Sequence, residues 1–445
     1  MTHRIHAAKA FALLCCLGLL SAGCGTSSPL REAFRKTTPY EKYRQALQNT
    51  RLDQTALGQD WLAAGQRALR DSLVVTIPFR ETGYFAADNP VAYSYRVSAR
   101  RGERLTVRVD VQSAKAVKVF VDVFELEGAP KAVASADTVE TAIVYDVEND
   151  LQHLIRVQPE LLRSGRYTLS ITSGPTLGFP VSGKNSSNIG SFWGADRDGG
   201  VRRHEGIDVF APRGTPAIAS ANGVVRDAGV NNLGGKVVWL ADENRSQTLY
   251  YAHLDSQLVQ PGQRVRIGDT LGLVGSTGNA AFAGPHLHFG IYRWNTGAID
   301  PYPFVKKPSG EPAAVKVPLE NLGKWHRVSA KKALLKASPD GKPLDLPEAG
   351  RHTPLRVLGG TGNWYRVALP DGTTGYLPAK QLEIARTPIQ KLNLKQETPV
   401  TDQPQPSAAV MQTLGKGEIV AALARFGVYW LVETPENGKG WLRTD

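Results

Sequence analysis

The heptapeptide Gly284-Pro285-His286-Leu287-His288-Phe289-Gly290 carries the alternation from which the rest of the chain can be read. In an extended strand successive side chains point to opposite faces. His286 and His288 then share one face, while Leu287 and Phe289 point into a core. Upstream stands His204-Glu205-Gly206-Ile207-Asp208. Gly206 within it, with Ile207, Val209 and Phe210 beyond, favours strand or loop over helix. Residues four apart on a strand point the same way, so His204 and Asp208 can face one ion. This is not the helical His-Glu-x-x-His pattern, because Asp208 stands where the second His would be. Glu205 falls on the opposite face and is not assigned as a general base. Between the two motifs, Tyr250-Tyr251-Ala252-His253-Leu254 is again strand-like. Two His and one Asp form a nitrogen/oxygen donor set suited to Zn2+. Three protein ligands leave a position open for water, as in catalytic rather than structural sites. Such an ion brings bound water to a pKa of roughly 7 and polarises a carbonyl. The residues alone point to metal-assisted hydrolysis.

The ordered set is more specific than any one motif. His204-x-Gly206-x-Asp208, Gly214-Thr215-Pro216, Tyr251-x-His253-Leu254, Gly275-Ser276-Thr277-Gly278 and His286-Leu287-His288 follow one another as in lysostaphin-type, LytM-like zinc endopeptidases. Residues 183–305 resemble that family, over roughly a quarter of the chain. The resemblance implies His204, Asp208 and His288 as zinc ligands. It implies His286 as the general base that helps to deprotonate the attacking water, and His253 as the group that steadies the water or the oxyanion. It also implies an antiparallel β metallopeptidase domain that hydrolyses peptide cross-bridges of peptidoglycan. Two departures bear on the substrate groove and leave the zinc motifs intact. The loop 279–283 is longer than usual, and Gly290 replaces a common acidic residue. Some relatives have lost zinc ligands and activate wall amidases instead. The alternative reading is therefore a catalytically inactive LytM-type factor that binds the wall or activates an amidase, and it is opposed by the intact motifs. In latent relatives an upstream Asn blocks the metal. Asn185 and Asn188 precede the motif here, in what reads as ordinary loop.

Cysteine usage narrows the chemistry further. The only cysteines are Cys15, Cys16 and Cys24, all near the start of the chain. A disulfide framework, a thiolate zinc site, an iron–sulfur cluster and a cysteine nucleophile are thereby excluded from the body of the protein. Residues 1–23 have the parts of a secretory signal: Arg4 and Lys9, then an apolar run from Phe11 to Leu20, too short to span a bilayer comfortably. Leu20-Ser21-Ala22-Gly23-Cys24 resembles the lipobox of bacterial lipoproteins, with Ser21 where Leu is usual. The resemblance implies lipidation at Cys24 and a membrane partner through that anchor. Gly25, where Asp would favour inner-membrane retention in enteric bacteria, points to the outer membrane, facing the periplasm. The formal charge of +12 suits an acidic polymer or surface, and nucleic acid has to be considered. Export argues against nucleic acid as partner.

The 445 residues allow about three domains at roughly 150 residues each, and 44 glycines with 28 prolines imply many turns rather than long bundles. The expected class is mainly β and multi-domain. After a signal peptide (1–23), residues 24–70 read as a tether and a helical hairpin. Its apolar positions Tyr43, Leu47, Leu57, Trp61, Ala64 and Ala68 recur at helical spacing, with Gly58 as the interruption. Period-two runs such as Val91 to Val97, Leu105 to Val109, Val117 to Val123 and Tyr167 to Ile171 predict a jelly-roll-like β-sandwich over 71–175. The peptidase segment 183–305 follows, then a Pro/Lys-rich linker. Trp364-Tyr365-Arg366-Val367-Ala368-Leu369-Pro370 reappears without a gap as Tyr429-Trp430-Leu431-Val432-Glu433-Thr434-Pro435. The pattern resembles bacterial Src-homology-3-type barrels, common cell-wall-binding modules, and predicts two small barrels at 320–385 and 386–445. Trp364 and Trp430 could equally be core residues or face a ligand. His153, His326 and His352 have no second ligand-type neighbour and read as structural.

Overall fold

The computed structural model describes residues 37–70, 72–137, 142–339, 341–344, 346, 348–434 and 438–444. The leader and Cys24 lie outside the described residues. The chain is mainly β, built as several units around separate cores.

The first unit opens with two short helices, Pro39–Asn49 and Ala56–Ala68. Thr38 caps the first reciprocally with Glu41: its hydroxyl accepts the Glu41 N–H at 3.1 Å, and the Glu41 carboxylate accepts the Thr38 N–H at 2.9 Å. The break between the helices lies at residues 50–55, not at Gly58. Thr55 stops the turn and caps the second helix by accepting the Gly58 N–H at 3.1 Å. Gly58 is needed for closeness instead, since a Cβ there would sit 1.8 Å from the Leu52 carbonyl oxygen. Tyr40, Leu47 and Trp61 pack on Phe120, and the Trp61 indole donates to the Pro159 carbonyl at 2.8 Å.

Phe120 belongs to a five-stranded sheet that faces a second sheet across one core. Tyr95, Val97, Val123, Ile155 and Val157 meet Phe85, Leu105, Val107, Leu169 and Ile171 there. The second sheet does not end at the sandwich. Its strand Phe79–Phe85 pairs Thr82 with Gly360 and Gly83 with Gly359, on strand Pro354–Thr361, so the sheet runs on into the first C-terminal unit. Glycine is required on both sides of this seam. A Cβ at Gly83 would come within 2.5 Å of the Tyr167 ring, and one at Gly359 within 2.9 Å of the Glu81 side chain. Beneath it Glu81 and Arg366, 0% and 3% exposed, pair at 2.8 Å. Glu81 also accepts from the hydroxyls of Tyr95 at 2.6 Å and Tyr376 at 2.8 Å. The Pro/Lys-rich stretch before this unit is laid down on it rather than hanging free. Lys316 N–H donates to the Gly362 carbonyl at 2.8 Å, and Val315 and Val317 pack on the unit's core.

Between these joined parts lies the central antiparallel sheet, in the order 189–191, 207–210, 286–293, 247–257, 235–242, 223–227 and 264–265. One face buries Ile207, Val209, Leu287, Phe289, Ile291, Leu249, Tyr251 and Leu240. The sandwich grips the edge of this unit through Lys306–Glu103 at 2.7 Å and Arg100–Asp300 at 3.0 Å. The last unit, a six-stranded sheet, leans on its predecessor through Trp325 and Trp441, ring centroids 5.5 Å apart.

Replacing Arg366 by Met leaves Glu81 charged and unpaired in a dry seam, a change that costs about 3–5 kcal/mol. The Arg366→Met protein should therefore unfold at clearly lower denaturant. An unchanged midpoint would show that the seam contributes nothing.

Candidate metal centre

The open face of the central sheet carries the singled-out side chains. Strands Ile207–Phe210 and His286–Arg293 run antiparallel, with Asp208 opposite His288 and Phe210 opposite His286. Asp208 and His288 are thus cross-strand neighbours, and His286 lies two residues along on the same face. His204 arrives by a different route from the one its spacing suggests. The strand begins only at Ile207, and His204 sits in the turn before it, held by its N–H to the Ala195 carbonyl at 2.8 Å. Gly206 lets this turn press against the neighbouring strand. A Cβ there would stand 2.7 Å from the His288 ring and 2.6 Å from the Phe289 carbonyl oxygen.

Three donor atoms converge. His204 Nε2, Asp208 Oδ1 and His288 Nδ1 lie 3.0 Å from one another, pair by pair. His204 Nδ1 faces the Phe192 carbonyl at 2.9 Å, so Nδ1 carries the proton and Nε2 is bare. The Asp208 carboxylate is turned so that Oδ2 accepts from Arg197 Nη2 at 2.8 Å. Burial opposes its ionisation, but hydrogen bonds and charge from His204 and His288, once a proton lies on a facing nitrogen, outweigh this and hold it well below the usual carboxylate range. Burial likewise pushes His288 down, towards the neutral ring that binds metal. Bare nitrogens and a carboxylate oxygen crowded to 3.0 Å repel one another unless a proton or cation lies between them. Each could reach an ion about 2 Å away. Among the described residues this is the one group of three with that property.

His253 reaches the same cavity through a local irregularity. Pairing of its strand, Gln247–Gln257, with Gly235–Asp242 slips by one residue between Tyr251 and Leu254. His253 takes φ 63°, a left-handed conformation uncommon for a residue with a side chain. Simple alternation would turn it into the core beside Tyr251. Instead its ring stands 5.0 Å from that of His286 and 5.9 Å from that of His288. Its Nδ1–H donates to the Thr277 carbonyl at 2.9 Å, which leaves Nε2 bare. Thr277 is itself fixed, accepting from the Lys236 N–H and donating to the Leu254 carbonyl, both at 2.9 Å. Burial, then the neighbouring His288, lowers the His253 pKa to about 4. His286 likewise spends Nδ1–H on a carbonyl, that of Gly284 at 2.8 Å, with its ring against Phe210.

Other candidates stay apart. Glu205 is exposed and accepts from the Tyr292 hydroxyl at 3.3 Å. Asn185 and Asn188 cap their own turn: Asn185 accepts from the Ser187 N–H at 2.9 Å, and Asn188 from the Asn185 N–H at 3.2 Å. His153 and His326 are buried within other units. Sequence reasoning passed over Arg197 and Ser191, whose glycine-rich loop has no periodicity. It also passed over the aromatic shelf of Trp239, Tyr250 and Tyr292 next to His288. Alternation places Trp239 opposite Tyr250 only once the register is known.

Residues 202–301 match the model of Peptidase family M23. The chain is 37% identical over 139 residues to an L-Ala–D-Glu endopeptidase of Bacillus subtilis, covering 29% of this chain and 42% of that protein. It is 41% identical over 91 residues to the peptidoglycan DD-endopeptidase ShyC of Vibrio cholerae, covering 20% of each. Among solved structures, the catalytic domain of the antimicrobial peptidase lysostaphin from Staphylococcus simulans is 34% identical. It covers 26% of this chain and 92% of that one, with a TM-score of 0.24. The chain thus spans less than half the length of these two curated relatives.

In the metal-free protein the His253 ring should titrate near about 4 rather than at the ordinary 6.5, read by NMR of its ring carbon. The unfolded chain then takes the proton first as pH falls below 6.5, so stability is lost between 6.5 and about 4. A midpoint at 6 or above would contradict the buried, carbonyl-bonded ring.

Proposed function

We propose that this chain, which carries an M23-family peptidase domain, is a zinc-dependent endopeptidase that hydrolyses peptide cross-bridges of the bacterial cell wall. The observation that carries the reading is the convergence of three donor atoms at 3.0 Å, with the Nε2 atoms of two further histidines beside them left free by Nδ1 bonds to carbonyls. The donor set fits zinc, with His204, Asp208 and His288 as the residues that would hold it. When bound, zinc supplies Lewis acidity, polarising a carbonyl and acidifying water. The remaining work falls to the chain. His286 Nε2 takes the proton of the attacking water as general base and is placed to return it to the leaving amine. His253, neutral and with Nε2 bare, accepts a hydrogen bond and so orients the water. Its own proton is committed to Thr277. The shelf of Trp239, Tyr250 and Tyr292 gives an extended substrate apolar contact beside the site.

The rest of the reading concerns delivery. Lipidation at Cys24 would tether the enzyme to the outer membrane facing the periplasm. The two C-terminal units are read as Src-homology-3-like barrels that hold the wall, and a second attachment raises the local concentration of cleavable peptide. Trp364 favours the first unit for this role, being half-buried with Lys336 Nζ 5.0 Å from its ring centre. Trp430 is 9% exposed, and its indole donates to the Thr444 hydroxyl at 3.0 Å, as a core residue would. Because the first unit shares a sheet and a buried ion pair with the sandwich, point variants test its role more cleanly than deletion of 311–445.

Substituting Ala for His204, Asp208 or His288 should abolish zinc binding and hydrolysis together. His286→Ala should keep zinc while turnover on a cross-linked peptide falls about 10²–10⁴-fold. Stoichiometric zinc in Asp208→Ala at unchanged affinity would refute the ligand set, and wild-type turnover in His286→Ala would refute the base. Trp364→Ala should weaken binding to purified sacculi and leave cleavage of a short soluble peptide and the melting temperature unchanged. Equal loss on both substrates would remove the targeting role.

A further inference from the structure

Arg197 reaches the metal centre from a hairpin at 196–203, where Asp196 pairs with Arg203 and Arg197 with Arg202. A single guanidinium nitrogen, Nη2, makes two bonds there. It donates to Asp208 Oδ2 at 2.8 Å and to Ser191 Oγ at 2.8 Å, which uses both of its hydrogens. Ser191 lies opposite Asp208 across the strand pair, and its hydroxyl is 3.4 Å from His204 Nδ1. One cation thus ties together the supports of two of the three donor residues. The Asp208 side chain is 10% exposed and that of Arg197 32%. Oδ2 therefore looks away from the donor triangle and into a charge-assisted bond, while Oδ1 alone looks into the triangle.

We infer that Arg197 is a positioning residue that keeps Asp208 a one-oxygen ligand. The inference rests on the metal-centre reading above. A buried carboxylate with one oxygen already on a guanidinium can offer a cation only the other. Remove the guanidinium and Oδ2 loses its partner in a nearly dry site, where the ion is the nearest compensation. The carboxylate then turns to offer both oxygens. The ion takes four protein atoms in place of three, and the position a substrate or water needs is filled from within the protein. Ser191 sets the angle of the guanidinium, so orientation matters as well as charge. A Lys ammonium carries three hydrogens on one nitrogen and can make both of these bonds, which makes Lys the conservative replacement at this position.

The test uses the full chain with Arg197→Ala and Arg197→Lys, each checked for an unchanged melting temperature without metal. Zinc affinity is measured by competition with a chromophoric chelator. Coordination number is followed through the visible d–d absorption of the cobalt(II) forms, which weakens as ligands are added. Outer-shell substitutions of this kind weaken metal binding about 10–100-fold. Arg197→Ala is expected to show a weaker cobalt band, with the extra carboxylate oxygen offsetting part of that loss of affinity, and Arg197→Lys to restore both towards wild type. Wild-type affinity and an unchanged cobalt band in Arg197→Ala would overturn the inference. So would a Lys variant that behaves like the Ala variant, or affinity lost with the band intensity intact, since either means that Arg197 only holds its hairpin. If the wild-type chain itself binds no zinc, it is the underlying metal-centre reading that falls.

Discussion

A carboxylate and two imidazoles held at 3.0 Å from one another, with too few protons to share, set the terms for the central sheet. Such a cluster is electrostatically unfavourable on its own and becomes favourable around a cation. Everything nearby serves to stop it from relaxing. The cross-strand register fixes Asp208 against His288, the missing Cβ of Gly206 lets the His204 turn close in, and carbonyls of Phe192, Gly284 and Thr277 fix three tautomers. Backbone carbonyls suit that task because the chain on both sides fixes them, whereas a side chain would have to be held in one rotamer. The pocket is therefore organised before any ligand arrives, as a site for polar chemistry must be if reorganisation is not to add to the barrier.

How much of this was legible beforehand depends on range. Alternation in His286-Leu287-His288-Phe289 is local, and it puts the two histidines on one face and the apolar pair in the core. The pairing of Asp208 with His288 spans 80 residues and no local rule supplies it. His204 and Asp208 do meet, but by a turn rather than along one strand face, since Gly206 delays the start of the strand. His253 illustrates a different failure. Period two would have buried it, and only a bulge, a feature of two strands considered together, brings it up. At the helical hairpin the glycine suggested an interruption, yet a threonine cap made the break and the glycine served a close contact. Arg197 was invisible because an arginine in a polar loop has no pattern to stand out from.

Away from the site, the buried pair Glu81–Arg366 shows how composition can mislead about architecture. A Pro/Lys-rich stretch ahead of a repeat suggests modules on a flexible string. In the structure it is a strap on a continuous nine-stranded sheet, and hydroxyls of Tyr95, Tyr167 and Tyr376 surround the charges. Five polar groups bonded to one another in a dry seam leave little freedom for the parts to swing. Orientation between the sandwich and the first C-terminal unit is thus built in, while the central unit meets the sandwich mainly through ion pairs and Phe304.

That seam also imposes an order in time. Glu81 precedes Tyr376 by 295 residues, and the whole central unit lies between them. Whether the chain emerges from a ribosome or from an export channel, it does so N-terminus first, so Glu81 is out before the groups that neutralise it. During that interval strand Phe79–Phe85 is an open edge beside an uncompensated charge, a surface prone to pair with the wrong partner. The charge that makes the seam costly to break also makes it unattractive to close early. The N-terminal sheet therefore completes itself only after the whole central unit and the strands beyond it have emerged.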